Sequence, residues 1–408
     1  MSKWEEKRLE DIIDVNPPVK LKKGEAYPFI DIDKVLPTRR SVTNEEVKVY
    51  DGQSSSKFCN GDTVFSRITP CLENRKIAKV AIDGDAAFGS TEFYVFRAKK
   101  KKADARFTYY LTSSDAVVLP AINSMTGASG RQRADKRFIQ RLKLNLPDLP
   151  TQERIADILS AYDDLIEVNN RRIELLEQTA QELYKEWFVR FRFPGHEKIK
   201  FENGLPEGWG YVRFGEAIDI IDGDRGVNYP KQEEFYPEGD CLFLNAGNVT
   251  SKGFDFSACS YITKEKDSIL RKGKLQHGDV VLTTRGTVGN VAFYNETMTF
   301  SEMRINSGMV ILRNLGVVSP EYIYTALRHE YLQKLMTLYA SGSAQPQLPI
   351  KDMKRMKIIK ADEKTMERFT EMSADIYNQI SLLIMKNQTL TKQRDMLLPR
   401  LMSGKLEV

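Results

Sequence analysis

Two pairs of polar loops in this chain carry side chains that could recognise DNA bases. Residues 66–70 and 126–133 form one pair, and residues 283–290 and 341–347 form the other. Arginine can bind guanine through two hydrogen bonds, glutamine and asparagine can do the same with adenine, and threonine and backbone amides bind phosphate. The predicted contact residues are Arg67, Thr69, Arg131, Gln132, Arg133, Thr284, Arg285, Thr287, Asn290, Ser343, Gln345 and Gln347.

These loops have a simpler interpretation, which stays open at this point. Glycine, serine and asparagine favour turns in any protein, so the loops could be solvated hairpin turns. Their recurrence at matching places in the two halves of the chain favours the recognition role.

No residue set with the chemistry of a catalytic centre occurs in both halves, and the histidines are scattered at His196, His277 and His329. Asn16-Pro17-Pro18-Val19 resembles the NPP[YF] motif of adenine methyltransferases, but it lacks the aromatic residue that stacks on the base. The glycine-containing segments 127–130 and 286–289 do not match a phosphate-binding loop. We therefore expect a non-catalytic chain without a cofactor of its own.

The composition is that of a folded chain with two or three domains. The four cysteines form no CxxC pair, so we predict no metal site; they are Cys59, Cys71, Cys241 and Cys259. No apolar stretch approaches the ~20 residues that cross a bilayer. The first residues, MSKWEEKRLEDI, contain acids where a signal peptide needs an apolar run, so we expect a cytoplasmic protein.

The charge is nearly balanced, with 61 basic and 56 acidic residues, but it is unevenly distributed. Basic residues cluster at 97–102 and 131–143, whereas acids are frequent from 153 to 177. This distribution suits phosphate contacts by two basic heads on a mixed-charge stalk. Alternatively, the lysine run at 99–102 is a solvated loop.

The elements that must position these loops occur twice. Residues 149–188 resemble residues 361–402, so that Thr151 aligns with Thr365 and Leu183 with Leu397. Each helical segment follows an α+β head, with predicted helices at 107–114 and 320–339. The predicted strands are 27–32, 63–66, 77–82, 93–96 and 142–147 in the first head, and 241–244, 279–283, 290–294, 309–312 and 357–359 in the second.

Apolar residues in both long segments follow an alternating 4–3 spacing, which predicts helices paired along one seam. Thr151 is the predicted N-cap of the first helix, which spans about 55 Å at ~1.5 Å per residue and ends before 193–195. The seam residues are Ile155, Leu159, Tyr162, Ile166, Asn169, Ile173, Leu176, Leu183, Trp187, Phe369, Ile376, Ile380, Leu383, Asn387, Leu390, Leu397 and Leu401.

A polar residue inside each seam predicts the register of the two helices. If they pack antiparallel with Asn169 facing Asn387, the facing apolar pairs are Leu176 with Ile380, Trp187 with Phe369, and Ile155 with Leu401. A lone polar pair fixes register at some cost in stability. Alternatively, one or both asparagines face solvent.

In this order and in duplicate, five segments resemble the specificity (S) subunits of type I restriction–modification systems, the HsdS family. They are LPTQERIADILS, NNRRIELLEQTAQELYKEWF, LPEGW, GDVVLTTRGTVGN and QRDMLLPRLMSGKLEV. The resemblance implies an α+β fold with two tandem target-recognition domains linked by two long helices in an antiparallel coiled coil. The expected segments are the recognition domains 1–150 and 209–362, the helical spacers 151–190 and 363–402, a connector 191–208 and a tail 403–408.

The resemblance also implies partners. Each recognition domain would read one half of a bipartite double-stranded DNA site, while the helices set the spacer and dock two modification (methyltransferase) subunits. Those subunits would carry S-adenosylmethionine for N6-adenine methylation. Two restriction (motor-nuclease) subunits would use ATP and Mg²⁺, and no membrane would be involved.

Two further functions remain open from the residues. The chain could be a coiled-coil scaffold whose heads bind protein, which the salt dependence of DNA binding would distinguish. A solitary DNA methyltransferase would need the missing cofactor loop. Residues 66–70 match the loop pattern of the family less fully than residues 283–290 do. The base-contact predictions are therefore stronger in the second head.

Overall fold

The computed structural model describes residues 4–37, 39–44, 46–300, 302–342 and 345–408. The chain forms two compact units, Met1–Glu167 with Thr389–Val408, and Val168–Gln388. Each unit therefore combines one head with part of both long helices, and the units cut across the predicted division into heads and helical spacers. In the described part of the chain, no helix has both the length and the apolar character needed to cross a bilayer.

Among its described residues, the first unit has eleven strands and four short helices, followed by the start of a long fifth helix. The strands are β1 Trp4–Arg8, β2 Ile13–Val15, β3 Ala26–Ile30, β4 Ser41–Val42, β5 Val47–Val49, β6 Ser56–Cys59, β7 Thr63–Ser66, β8 Ile77–Val80, β9 Ala86–Gly89, β10 Phe93–Ala98 and β11 Lys143–Pro147. The helices are α1 Leu9–Ile12, α2 Ala105–Ser113, α3 Asp115–Asn123, α4 Lys136–Arg141 and α5 Leu149–Tyr184.

The second unit contains the end of α5, a π-helical turn at Lys185–Val189, and a second head. Its strands are β12 Phe201–Glu202, β13 Leu205–Pro206, β14 Gly210–Arg213, β15 Ile218–Asp222, β16 Cys241–Leu244, β17 Val249–Thr250, β18 Gly253–Phe254, β19 Tyr261–Ile262, β20 Asp279–Thr283, β21 Val291–Tyr294, β22 Met303–Ile305, β23 Met309–Asn314 and β24 Lys357–Lys360. Its helices are α6 Phe214–Ala217, α7 Lys264–Ile269, α8 Pro320–Arg328, α9 Glu330–Tyr339, α10 Ile350–Met353 and the start of α11 Glu363–Met402.

The two heads share one sheet arrangement. The order β2-β10-β7-β8 in the first head corresponds to β15-β23-β20-β21 in the second, and the ribbon β1-β11 corresponds to β14-β24. The first head extends its main sheet with β4 and adds a four-stranded sheet, β5-β3-β9-β6, whereas the second adds a three-stranded sheet, β19-β16-β22. The repeat seen in the sequence is therefore a repeat of strand order and pairing.

The central strands β7 and β20 are buried along their whole length, which explains their unbroken apolar sequences. Both begin with a Gly-Asp turn that makes the same contacts. Asp62 accepts two hydrogen bonds from Arg97, at 2.7 and 2.6 Å, and Asp279 accepts two from Arg313, at 2.9 and 2.7 Å. Each aspartate thus joins the start of its central strand to the neighbouring strand by a charge-assisted pair.

In the first unit, α5 and α11 run antiparallel. The Arg394 guanidinium donates to the Asp163 carboxylate at 2.6 Å. The buried side chains of Ile155 and Leu401 belong to the same apolar core. Ile155 lies before Asp163 whereas Leu401 lies after Arg394, which fixes the antiparallel direction.

The second unit contains the predicted asparagine pair. Asn169 Nδ2 donates to Asn387 Oδ1 at 2.8 Å, and the Asn387 amide donates to Asn170 at 2.9 Å. The rings of Trp187 and Phe369 lie 6.0 Å apart between centroids. The helices are therefore antiparallel here too, in the register that the two asparagines predict.

Two local predictions were wrong. The first long helix begins at Leu149, and the Asp148 carboxylate, not Thr151, caps it by accepting from Thr151 N at 3.1 Å. The predicted helix at 320–339 is two helices, because the backbone of His329 is extended. The predicted helix at 107–114 is confirmed as α2, Ala105–Ser113, and a further helix, α3, follows after Ser114.

Candidate nucleic-acid interface

The structure brings the two predicted loops of the first head together. Thr69 N donates to Gln132 O at 3.0 Å, and Ala134 N donates to Arg67 O at 2.8 Å. A β-bridge between Ile68 and Arg133 lies between these bonds. The loops are therefore held by backbone hydrogen bonds, and their side chains are free to differ without loss of this ladder.

The loops of the second head meet in the same way. Gly286 N donates to Pro346 O at 3.2 Å, and Leu348 N donates to Thr284 O at 2.9 Å. The bridge in this head joins Arg285 to Gln347. The same backbone ladder thus occurs twice, with different side chains on it.

Both ladders continue to the start of the neighbouring strand. Arg67 N donates to Glu92 O at 2.9 Å, just before β10, and Thr284 N donates to Gly308 O at 2.8 Å, just before β23. We call residues 67–70, 92 and 126–133 the first edge. Residues 284–290, 306–308 and the described part of 341–347 are the second edge.

Ion pairs occupy the middle of the first edge. Arg133 donates to both carboxylate oxygens of Glu92 at 2.6 and 2.8 Å, and Arg67 Nε donates to the same carboxylate at 3.2 Å. The hydrogen bonds from Arg133 lower the pKa of Glu92, so its carboxylate is ionised at neutral pH. The Arg67 guanidinium also lies over the Tyr94 ring, 5.4 Å from its centroid.

The remaining predicted residues of the first edge divide into two groups. Thr69 is buried, and its hydroxyl accepts from Gln132 N at 3.1 Å, so it stabilises the ladder. The side chain of Gln132 is half-buried, and that of Arg131 is exposed. Within the described residues, no hydrogen bond or ion pair engages the Arg131 guanidinium, which is free to bind a phosphate or a base.

In the second edge, two of the predicted residues hold the loops in place. The buried Thr284 hydroxyl donates to Gly308 O at 3.1 Å, and Asn290 Nδ2 donates to Val249 O at 3.0 Å. These polar groups are already satisfied within the unit. Thr284 and Asn290 therefore stabilise the loop, and their contact with bases stays a prediction.

Most of the other predicted residues of the second edge are exposed. Thr287, Gln345 and Gln347 are exposed, while Ser343 lies outside the described residues. Arg285 is half-buried, and its Nε is a buried donor without a hydrogen-bond partner among the described residues. An unpaired buried donor is costly, and a ligand that accepts from it would offset this cost.

Residues 223–227 form a further segment beside the second edge, without a counterpart among the described residues of the first edge. The backbone of Gly223 packs so closely against Asn306 that a Cβ atom would lie 2.2 Å from the Asn306 carbonyl oxygen. Beyond this contact, Arg225 donates to Ser307 O at 3.4 Å and the Val227 side chain is 97% exposed. In the first head, β2 pairs with β10 only at Phe96–Ala98 and not at the end of β10 that adjoins the edge.

Two other sequence signals do not belong to the edges. Strand β10 begins at Phe93, next to the first edge, and ends at Ala98. The lysines at 99–102 follow Ala98 and therefore lie at the opposite end of the strand from the first edge. Asn16 of the Asn-Pro-Pro-Val segment exchanges hydrogen bonds with the backbone of Val95, at 2.7 and 2.8 Å. This segment therefore completes the sheet.

Buried acids, which the seam pattern missed, tie each head to helical residues of its own unit. In the first unit, Asp163 accepts from Tyr110 Oη at 2.5 Å in addition to Arg394. In the second unit, Glu177 accepts from Arg328 at 2.8 Å and from Tyr324 Oη at 3.1 Å. Because these acids do not follow the apolar 4–3 spacing, the seam pattern alone could not identify them.

The chain matches the family model described as "Type I restriction modification DNA specificity domain" twice, over residues 1–178 and 206–381. It is 23% identical over 423 aligned positions to the MjaIX type I restriction enzyme specificity subunit of Methanocaldococcus jannaschii, covering 99% of this chain and 94% of the relative. It is 25% identical to the HindI specificity subunit of Haemophilus influenzae, with all of both chains covered. The crystal structure of a type I restriction–modification S subunit from M. genitalium has the same fold, with a TM-score of 0.56, 16% identity and coverage of 98% and 96% of the two chains.

Proposed function

This chain belongs to the type I restriction–modification DNA specificity family, and from that membership we propose that its first and second edges each read one half of a bipartite DNA site. The observation that carries this proposal is the backbone ladder, which holds different outward side chains in the two heads. A non-catalytic specificity subunit must present two unlike recognition surfaces if its target has two unlike halves.

The chemistry of the exposed side chains supports base reading. In the second edge, Arg285 can donate to guanine while Gln345 and Gln347 can pair with adenine. Thr287, which is exposed on the same loop as Arg285, can contact phosphate. In the first edge, Arg131 and Gln132 provide the corresponding donors. Contacts with phosphate would position the edges and contacts with bases would supply the specificity.

The chemical steps belong to partner subunits. We propose that two modification subunits bind S-adenosylmethionine and methylate adenine at N6, and that two restriction subunits use ATP and Mg²⁺ to move along and cut DNA. The helices would dock the modification subunits and set the distance between half-sites. The complex would act in the cytoplasm, where bacterial and archaeal DNA lies.

The experiment is N6-methyladenine mapping of a host genome with and without this gene, expressed together with its modification subunits. We expect one gapped, two-part motif to be methylated only when the gene is present. An unmethylated genome, despite an assembled and cofactor-loaded complex, would contradict the proposal.

The scaffold alternative makes a different prediction about salt. Phosphate contacts release bound cations, so the affinity for DNA should fall steeply as salt rises. If the complex does not bind DNA, or binds it with an affinity that does not change with salt, the result would instead favour heads that bind protein.

A further inference from the structure

The Glu92 carboxylate lies between two arginines that face the same side of the first edge. Its side chain is 20% exposed, and those of Arg67 and Arg133 are 30% and 46% exposed, so solvent and ligands can reach the cluster. Both arginines are among the residues that the sequence predicts as DNA contacts. The structure shows them engaged with a protein carboxylate instead.

The geometry of the Arg133 pair is the geometry that reads guanine. Arg133 uses two parallel donors, at 2.6 and 2.8 Å, to bind both oxygens of Glu92. The same guanidinium fork binds O6 and N7 of guanine in the major groove. A correctly placed guanine can therefore replace the carboxylate bond for bond, whereas any other base at the same place offers at most one acceptor to the fork.

The corresponding position of the second edge carries no such carboxylate. Gly308 O accepts the backbone bond there that Glu92 O accepts in the first edge. The backbone bond is thus independent of the Glu92 side chain, and removing the charge leaves the ladder intact. This makes the carboxylate a separate feature of the first edge and not a requirement of the fold.

Resting on the proposed function, we infer that Glu92 is a specificity-determining residue that withholds Arg133 from non-target DNA. In the free chain the carboxylate neutralises the guanidinium and holds its position. At the target, a guanine takes over the two donors. Non-target DNA, which presents a base without two acceptors at this place, does not displace the carboxylate, so Arg133 adds little to non-specific binding.

The test is DNA binding by the full-length chain with Glu92→Gln, over a series of salt concentrations. The probes are a random-sequence duplex pool and the duplex that the wild-type chain enriches from this pool. We expect the variant to bind the random pool roughly threefold to tenfold more tightly, and the slope of log affinity against log salt to steepen by about 0.9 per phosphate gained. The preference for the enriched duplex should fall accordingly.

Three matched variants separate this effect from net charge and from loop structure. Glu6→Gln removes the same charge from an exposed ion pair with Lys143 outside the edge, and should leave affinity and slope unchanged. Adding Arg133→Met to Glu92→Gln should remove the part of this gain that the released Arg133 guanidinium supplies, and so bring the slope back towards the wild-type value. Glu92→Asp keeps the charge and should keep the wild-type slope.

Arg133→Met in the wild-type background tests the inference even if Glu92→Gln does not fold. We expect it to weaken binding to the enriched duplex while leaving binding to the random pool unchanged. Equal losses on both probes, or a Glu92→Gln chain with the wild-type slope, would overturn the role of Glu92.

A failure of the proposed function has a different signature. In that case the wild-type chain would enrich no duplex, and Arg131→Met at the exposed position of the same edge would not change DNA binding. If Arg131→Met weakens binding while the Glu92 variants behave as wild type, only the inference about Glu92 fails.

Discussion

Glu92 and Gly308 occupy equivalent places in the two edges, and the contrast between them separates what is constant from what varies. Both backbone carbonyls accept the same ladder bond, from Arg67 N and Thr284 N respectively. Only one of them adds a side chain, and that side chain neutralises two arginines. Backbone hydrogen bonds thus hold the loops in both edges, so the recognition chemistry can change without changing the fold.

The edges therefore differ in their electrostatic state before DNA arrives. In the first edge, Arg67 and Arg133 are paired within the protein, and Arg131 is exposed. In the second edge, Arg285 has a buried Nε without a partner among the described residues. We expect the arginine of the second edge to bind DNA by direct attraction. In the first edge, we expect the arginines to exchange the Glu92 carboxylate for DNA.

The largest expected effect concerns the attachment of the second head to its helix. Glu177→Ala would leave the largely buried Arg328 guanidinium and the buried Tyr324 hydroxyl without their shared acceptor. Removing one partner of a buried ion pair costs about 3–5 kcal/mol, so the free energy of unfolding should fall by that amount in urea titrations. Glu182→Ala is the control, because Glu182 makes an exposed pair with Lys185 and should matter by less than about 0.5 kcal/mol. Equal effects of the two variants would contradict the assignment.

The next effect tests whether the two heads share one support for their central strands. Asp62→Ala and Asp279→Ala each remove two hydrogen bonds to an arginine and one to a backbone amide. We expect each to lower the free energy of unfolding by about 2–4 kcal/mol, because each leaves a partly buried arginine unpaired. Urea unfolding monitored in both variants checks this. A large effect in one head and none in the other would show that the shared geometry does not have a shared energetic role.

A smaller effect should separate the edges on DNA. Arg285→Ala is expected to cost about 1–3 kcal/mol of affinity for the target duplex and to relax one base position, because a bidentate arginine–guanine contact is lost. Competition binding against duplexes substituted at single positions measures both. Arg355→Ala removes an exposed arginine of the same unit outside the edge and should leave affinity and preference unchanged. Equal discrimination before and after Arg285→Ala would exclude base contact by this residue.

The smallest effect concerns the asparagine pair of the second unit. Replacing both Asn169 and Asn387 with leucine should leave stability unchanged or raise it by about 1 kcal/mol, because both polar partners are removed together. Asn169→Leu alone should be less stable than the double variant, since it leaves the Asn387 amide without one partner. Thermal unfolding of the three proteins tests this order. A double variant that is less stable than the single variant would contradict the claim that the asparagine pair fixes the register of the helices at a cost in stability.

Much of the fold could be predicted from the sequence, because apolar runs and repeats are local signals. The strands Thr63–Ser66 and Asp279–Thr283 have the predicted bounds, since both are buried on both faces. The asparagine pair was predictable because the register follows from a single polar residue in each seam.

The rest depends on contacts between residues far apart in the chain. Glu92 is 41 residues from its partner Arg133, and no spacing rule connects them. Glu177 also escaped prediction, because its face of α5 packs against the second head and not along the helix seam. The predicted DNA contacts stay predictions, but the structure separates the loop-stabilising Thr69, Thr284 and Asn290 from the outward-facing side chains.

The most direct test of the central claim is selection of duplexes from a random pool by the full-length chain with its modification subunits, for the wild type, Arg131→Met and Arg285→Met. We predict a two-part motif with an unspecified spacer for the wild type. Arg131→Met should weaken selection in one half-motif only, and Arg285→Met in the other only. If both variants affected the same half, or neither changed the motif, the assignment of one edge to each half-site would be wrong.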